Sequence, residues 1–315
     1  MADSSFARFE LTVPSTDGLS TLHVVLWRPT RVAPHACVQL VHGMAEHINR
    51  YNDFASYLAS HGYVVFGHDH IGHGNSVSNT DSLGCLPLKG GKDILIEDVH
   101  AVRLGLWSYY RNIPLFLFGH SMGSYVARVY CSRHAEGLSG AIFCGTGNQP
   151  ALLSRAGNIL ARVLGSIHNP RYHSALIDRL VLGSFSSAIK NARTPQDWLS
   201  TDPSVVEAYR EDDLSGFMFS VGGYATLTDL TAEAASPRIA RQTPTTLPVL
   251  FISGEEDPVG GFGKDVTKAA EQYRQAGIET VTTILYPGLR HEILNEPSRQ
   301  TVYRDVLDWL ELRLP

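Results

Sequence analysis

Long apolar runs, paired cysteines and basic clusters are all missing from this 315-residue chain. No stretch approaches the roughly 20 apolar residues that a membrane-spanning helix needs, so a span is not expected. Cys37, Cys85, Cys131 and Cys144 have no Cys-x-x-Cys spacing, and three of them lie in apolar segments. They read as free buried thiols of a reducing compartment, not as a disulfide framework. A formal net charge of −5 and the lack of any Lys/Arg-rich run exclude nucleic acid as a partner, because that binding depends on neutralising phosphates. Met1 to Glu10 has no basic n-region and no apolar h-region, so no secretory leader is expected and the location is read as cytoplasmic. Internal repeats, low-complexity tracts and disordered linkers are absent as well.

What remains is a regular alternation of short apolar runs and helical patterns. Phe6 to Val13 and Thr21 to Trp27, with Asp17-Gly18 between them, predict an antiparallel hairpin at a sheet edge. Ala36 to Val41 is apolar almost without alternation, which suits a strand buried on both faces of a parallel sheet. Tyr51 to Ser60 has helical spacing and runs into His61-Gly62, a glycine C-cap. Tyr63 to Phe66 predicts a strand, Ile94 to Tyr110 a helix, Leu115 to Phe118 a strand and Ala141 to Cys144 another. From Gln149 to about Thr245 there are helical patterns and turns without a convincing buried strand. Strand pattern resumes at Val249 to Ile252, then a helix over Lys264 to Gln275, a strand over Thr280 to Leu285 and a closing amphipathic helix from Arg299 to Leu314. This order predicts an α/β fold with a mostly parallel, doubly wound sheet. Residues 1–148 and 246–315 form its core, and 149–245 is an inserted helical cap.

The chemistry is concentrated in Gly119-His120-Ser121-Met122-Gly123, between the Leu115 to Phe118 strand and a helix-like stretch over Ser124 to His134. A Gly-x-Ser-x-Gly turn between strand and helix holds its serine in strained geometry, and the two glycines remove Cβ atoms that would collide there. Ser121 is the candidate nucleophile. A serine hydroxyl needs a base within reach and a third group to orient that base. His291 follows a strand, in Pro287-Gly288-Leu289-Arg290-His291-Glu292, and is the only histidine after His173. The acid is sought at the carboxyl end of the Pro248 to Ser253 strand, where Glu255, Glu256 and Asp257 compete; Pro258 stiffens the turn after Asp257 and favours it. The Met122 N–H, at the start of the helix, and the Met44 N–H, after the Ala36 to Val41 strand, are the candidate oxyanion donors. His120 points away at the turn and is a poor base. His68, Asp69, His70 and His73 match no zinc signature. Gly67 to Ser76 reads as a structural loop in which Asp69 satisfies backbone donors and Gly72 and Gly74 make the turns. Neither metal nor cofactor is expected.

Val41-His42-Gly43-Met44-Ala45-Glu46-His47, with Arg50-Tyr51 behind it, resembles the His-Gly-x-x-Glu-His...Arg-Tyr segment of the monoacylglycerol lipase and lysophospholipase branch of the α/β-hydrolases. The Gly67 to Ser76 loop, the Ser121 elbow, Asp257-Pro258-Val259 and Gly288 to His291 are similar to further motifs of that branch. The cap is only loosely similar, chiefly around Tyr209 to Phe219. The resemblance implies an α/β-hydrolase fold with Ser121, Asp257 and His291 as triad and Met44 and Met122 as oxyanion donors. It also implies that Glu46 and Arg50 lie near the glycerol end of the site. Leu294 stands where the branch carries a companion histidine, a departure at the alcohol end.

The implied activity is cofactor-free hydrolysis of a lipophilic monoester, of monoacylglycerol or lysophospholipid type, so a small acyl ester is the expected partner. The same broad family includes prolyl-type aminopeptidases; that reading needs cap carboxylates, for which Asp178, Asp197, Asp202, Glu207 and Glu211 are available. A third reading is a ligand-binding protein on the same fold without turnover. Within the cap, Leu152, Leu153, Ala156, Ile159, Leu160, Val163, Leu164 and Ile167 recur at helical spacing. Three readings fit: packing onto the core, lining an acyl tunnel, or transient contact with a lipid interface. Phe217 and Phe219 are expected to add apolar wall, and Gly222-Gly223 to permit lid motion. Oligomeric state has no sequence signature.

Overall fold

A computed structural model describes residues 5–315; residues 1–4, where the expectation of no secretory leader partly rests, lie outside the described residues. Eight strands form one sheet: β1 (Phe6–Pro14), β2 (Thr21–Pro29), β3 (Ala36–Val41), β4 (Tyr63–His68), β5 (Leu115–His120), β6 (Gly140–Cys144), β7 (Val249–Gly254) and β8 (Val281–Tyr286). Their spatial order is β1-β2-β4-β3-β5-β6-β7-β8. The β1–β2 and β2–β4 pairs are antiparallel and every later pair is parallel. The expected edge hairpin and parallel core are both present. The continuous apolar runs have the reason anticipated for them, since every residue of β3, β4, β5, β6 and β7 is buried.

Two hydrophobic cores follow from the alternation of side chains across that sheet. On one face Val38, Leu40, Phe116, Phe118, Ile142, Leu250 and Ile252 pack with helices α1 (Asn52–Ser60) and α11 (Arg299–Glu311). On the other face Cys37, Val41, Leu117, Ala141 and Phe143 pack with α2 (Gly91–Trp107), α3 (Met122–His134) and α10 (Lys264–Gln275). The helix over Ile94 to Tyr110 is displaced by one turn, to Gly91–Trp107. Its first turn, Gly91-Lys92-Asp93, has no apolar side chain to reveal it, and Gly90 enters with φ 76°.

Between β6 and β7 stand six helices: α4 (Ala151–Ile167), α5 (Ala175–Val181), α6 (Gly183–Ala188), α7 (Pro203–Glu211), α8 (Val221–Ala234) and α9 (Pro237–Gln242). They divide by burial. Leu230 and Ala234 of α8 and Ile239 and Ala240 of α9 belong to the same core as α3, whereas α5 buries only Ile177 and α6 buries nothing. Gly222 and Gly223 are not a hinge. Both lie inside α8, where a Cβ on Gly222 would sit 2.0 Å from the Leu86 carbonyl oxygen and one on Gly223 would sit 2.6 Å from that of Gly84. These glycines let a helix approach backbone closely, which fixes α8 in place.

Candidate active site

The elbow is built by two exclusions. A Cβ on Gly119 would lie 2.3 Å from the Gly123 carbonyl oxygen, and one on Gly123 would lie 2.1 Å from that of Val41. Only glycine at both positions lets β5 turn into α3 against β3, and the turn leaves Ser121 at φ 53°, a strained conformation for a residue with a Cβ. The Ser121 N–H is anchored on the Cys144 carbonyl at 2.9 Å. The helix begins at Met122, earlier than the sequence pattern suggests, so the Met122 N–H is one of the donors a helix N-terminus leaves without an intrahelical partner.

Of the three acids after β7, Glu255 and Glu256 are exposed and Asp257 is fully buried. Asp257 Oδ2 lies 2.9 Å from His291 Nδ1 and also accepts from Ser253 Oγ at 3.1 Å, while Oδ1 accepts the Val259 N–H at 2.8 Å. The carboxylate is therefore held at both oxygens and orients the imidazole. His291 is 2% exposed, and its Nε2 has no partner among the described residues. His291 and Ser121 line one cavity of about 440 Å³, together with Met44, Met122, Tyr125, Leu153, Leu160, Leu180 and Trp198. The free imidazole nitrogen and the strained hydroxyl thus share the one space a substrate would enter, the arrangement that general-base activation of a serine needs.

A buried charge network lies beside that pair. The Glu46 carboxylate accepts from the Gly43 N–H and from Tyr51 Oη at 2.7 Å, and lies 3.3 Å from His120 Nδ1 and 3.4 Å from Arg50 Nε. Burial alone would push Glu46 up; the hydrogen bond and charge of His120, with the charge of Arg50, outweigh it and hold the carboxyl at about 2. Burial likewise opposes the charge on His120, yet Glu46 raises its pKa above the ordinary histidine value. Both ring nitrogens of His120 are engaged, Nδ1 by Tyr51 and Glu46 and Nε2 by the His291 carbonyl at 3.3 Å, and its ring centroid stands 4.8 Å from that of His291. The Gly43 N–H is taken by Glu46, whereas the Met44 N–H next to it makes no hydrogen bond within the described residues.

The histidine loop is also pinned from the inserted segment, which sequence gave no means of seeing. Glu292 N–H donates to the Leu199 carbonyl at 2.7 Å, and the Trp198 ring packs 5.0 Å from that of His291. Glu296, fully buried, accepts from Arg290 N–H at 2.9 Å, Ser200 Oγ at 3.0 Å and Thr201 N–H at 2.9 Å. A glutamate five residues after a loop histidine has no distinctive pattern; only the fold brings Ser200 and Thr201 to it.

Several expected site residues lie elsewhere. Glu46 lines the cavity, but Arg50 does not: it bridges Glu46 and Glu292 with its side chain 11% exposed. Leu294 belongs to the core beneath the sheet. Phe219 is fully buried, and with Phe217 it packs edge-on against His73, at 5.3 and 5.4 Å between centroids; neither lines this cavity, but Phe217 lines a neighbouring one that shares Ala45, Trp198 and Tyr209 with it. Apolar wall comes instead from Leu153, Leu160, Leu180 and Phe185. Asp69 plays the loop role expected of it, accepting from Ile48 and Asn75 N–H at 2.7 and 2.9 Å and pairing with His23. His42, His68, His70 and His73 form a closed ring cluster, His42 and His70 being 4.3 Å apart and His68 and His70 5.1 Å. Burial pushes His68 and His73 down to about 4 and, with their mutual repulsion, holds His42 and His70 well below the ordinary value. They are neutral packing groups near neutral pH.

The carboxylates that an amine-binding cap would need are occupied or remote from the cavity. Asp178 accepts from Tyr224 Oη, Asp197 from Arg193 N–H and Thr194 Oγ1, Asp202 caps α7, and Glu207 pairs with Arg210. None of these, nor Glu211, lines the cavity.

Helix α4 has its polarity inverted. Ser154, Ala161 and Gly165 are its buried positions, and its polar face bonds α8 through Asn158 to the Ala225 carbonyl at 2.8 Å and Arg162 to Asp229 at 2.7 Å. Leu152, Ile159 and Ile167 are 79, 64 and 68% exposed. Packing onto the core, one of the three sequence readings, holds for part of the stripe only: Leu160 and Leu164 are half-buried against it. Leu153, Ala156 and Leu160 border the cavity, and Leu152, Ile159, Val163 and Ile167 are exposed.

Comparison with known proteins places the chain among hydrolases of this fold. Residues 32–298 match the family described as serine aminopeptidase, S33. The monoacylglycerol lipase of Mycolicibacterium smegmatis is 28% identical over 97% of this chain and 98% of its own. The human monoglyceride lipase is 24% identical over 91% of this chain and 86% of its own. A thermostable carboxyl esterase from Bacillus coagulans, solved in complex with glycerol, superposes with a TM-score of 0.91 at 30% identity, covering 98% of this chain and 99% of that one.

Proposed function

This chain belongs to the serine aminopeptidase S33 family of α/β-hydrolases, and from that membership we propose that it is a serine carboxylester hydrolase acting on lipophilic monoesters of the monoacylglycerol or lysophospholipid type. The observation that carries the reading is the buried Asp257–His291 pair, whose free Nε2 opens on the same apolar cavity as Ser121. His291 Nε2 takes the Ser121 Oγ proton as the oxygen bonds the acyl carbon. The Met44 and Met122 N–H groups stabilise the oxyanion. As the tetrahedral intermediate collapses, the alcohol leaves with the proton from His291; water, deprotonated by the same nitrogen, then releases the acid and restores the serine. Asp257 holds the productive tautomer. The carboxylates that would hold a peptide's terminal amine are engaged elsewhere, so ester cleavage is favoured over aminopeptidase activity.

Residues 149–245 serve as the cap, in which α8 and α9 share the core, α4 is bonded to α8, and α5 and α6 are the least buried. The outward stripe of α4 and the exposed Leu176 and Leu180 form a lipid-facing surface contiguous with the cavity. Charge supports this: residues 149–201 carry six Lys or Arg against two Asp, in a chain whose net charge is −5. Such a face is drawn to an anionic lipid surface and repels a second copy of itself.

The experiment is a panel of p-nitrophenyl esters from two to sixteen carbons beside an aminoacyl anilide, assayed with and without anionic phospholipid vesicles. Hydrolysis should peak at medium or long acyl chains, and vesicles should raise turnover of the long ones. Cleavage of the anilide alone would overturn the assignment; indifference to vesicles would remove the lipid-facing surface but leave the esterase.

A further inference from the structure

Ala45, directly after Met44, has φ 51°, a left-handed conformation that its Cβ disfavours. Such a residue persists where its surroundings over-determine it, and here they come from the inserted segment. The Ala45 carbonyl accepts two hydrogen bonds, from Tyr209 Oη at 3.0 Å and from Gly216 N–H at 2.9 Å. The same two segments are joined twice more. His47 Nε2 lies 2.7 Å from Asp212 Oδ2, and the Arg50 guanidinium stands 4.8 Å over the Tyr209 ring while pairing with Glu46 and Glu292. Tyr209 is 7% exposed, so its hydroxyl works in a dry setting where a hydrogen bond is strong.

We propose that Tyr209 is a positioning residue for the oxyanion hole: its hydroxyl locks Ala45 in the left-handed conformation and so keeps the Met44 N–H aimed at the developing oxyanion. The inference rests on the esterase reading above. Four backbone torsions, two at Met44 and two at Ala45, separate the clamped carbonyl from the Met44 N–H. If Ala45 relaxed toward the right-handed region, the intervening peptide plane would rotate and the donor would swing off its target. Glu46 fixes the Gly43 end of the loop and Tyr209 fixes the Ala45 end, with the Met44 N–H between the two anchors. The inserted segment therefore supplies part of the catalytic geometry as well as walls for the cavity.

The test compares wild type, Tyr209→Phe and Tyr209→Phe/Ala45→Gly on a soluble p-nitrophenyl ester, with melting temperature as a control. Tyr209→Phe keeps the ring beneath Arg50 and should lower kcat about 3- to 10-fold, the scale of one neutral hydrogen bond, with KM unchanged. Glycine adopts φ 51° without penalty, so adding Ala45→Gly should restore at least half of the lost kcat. Affinity for a trifluoromethyl ketone, whose adduct presents an oxyanion, should fall and recover in parallel with kcat. Wild-type kcat in Tyr209→Phe overturns the clamp. So does a loss that Ala45→Gly leaves unrepaired, or a rise in KM at constant kcat, which would put the hydroxyl on substrate. A wild-type protein without esterase activity would instead overturn the functional reading and the clamp with it.

Discussion

Ser121→Ala will lower kcat for ester hydrolysis by about 10⁴- to 10⁶-fold while leaving the fold and melting temperature near wild type. The size of the effect follows from how singular the position is. Ser121 is the residue that β5 and α3 force to φ 53°, with Met122 N–H beside it and Asp257-oriented His291 across the same cavity. Removing Oγ deletes the atom that bonds the acyl carbon and leaves only oxyanion and binding contributions. Asp257→Asn should lower kcat by about 10⁴-fold, because an amide nitrogen facing Nδ1 favours the wrong imidazole tautomer. A fluorophosphonate probe separates the two variants: labelling should vanish in Ser121→Ala and merely slow in Asp257→Asn. If Ser121→Ala kept full hydrolysis, the covalent mechanism would be wrong.

The second large effect is on stability in acid. His42, His68, His70 and His73 are fully buried, and their folded pKa values lie below that of a free histidine, with His68 and His73 at about 4. Between about pH 6.5 and 4 the unfolded chain binds protons that the folded chain refuses, so stability is complete above the unfolded value and is lost as pH falls. Each such histidine contributes a slope of up to about 1.4 kcal/mol per pH unit across that window. His23 and His120 act in the opposite sense, since Asp69 and Glu46 raise their pKa values and their contribution is lost as pH rises. His68 is the clean probe, because neither of its ring nitrogens has a hydrogen-bond partner among the described residues. His68→Phe should flatten urea-derived stability against pH by roughly 3 kcal/mol between pH 6.5 and 4 relative to wild type. Parallel curves for the two proteins would mean that His68 titrates normally in the fold.

The order of elements and the strained turn that holds Ser121 were legible in the chain because both are local. A run such as Ala36 to Val41 declares its own burial, and Gly119-His120-Ser121-Met122-Gly123 between strand and helix declares the turn it must make. His291 was legible by elimination. Asp257 was preferred over Glu255 and Glu256 on Pro258 and the resemblance, and the burial that sets it apart from them belongs to the fold.

What the tertiary structure alone decided is long-range and, in most cases, inverted from the obvious expectation. The apolar stripe of α4 would be assigned inward by its periodicity, yet its small and polar face meets α8. Gly222 and Gly223 suggest freedom, and close backbone approach makes them fixed points. Phe219 suggests a cavity wall and instead covers His73, whereas Phe217 both covers His73 and lines a neighbouring cavity. Ser200 and Thr201 on Glu296, Tyr209 on Ala45 and Asp212 on His47 join residues 95 to 165 positions apart. Periodicity reports that a side chain needs a neighbour, and a turn motif reports local backbone strain. Which neighbour meets that need is set by how the chain closes on itself, and in this protein that closure determines what surrounds Ser121.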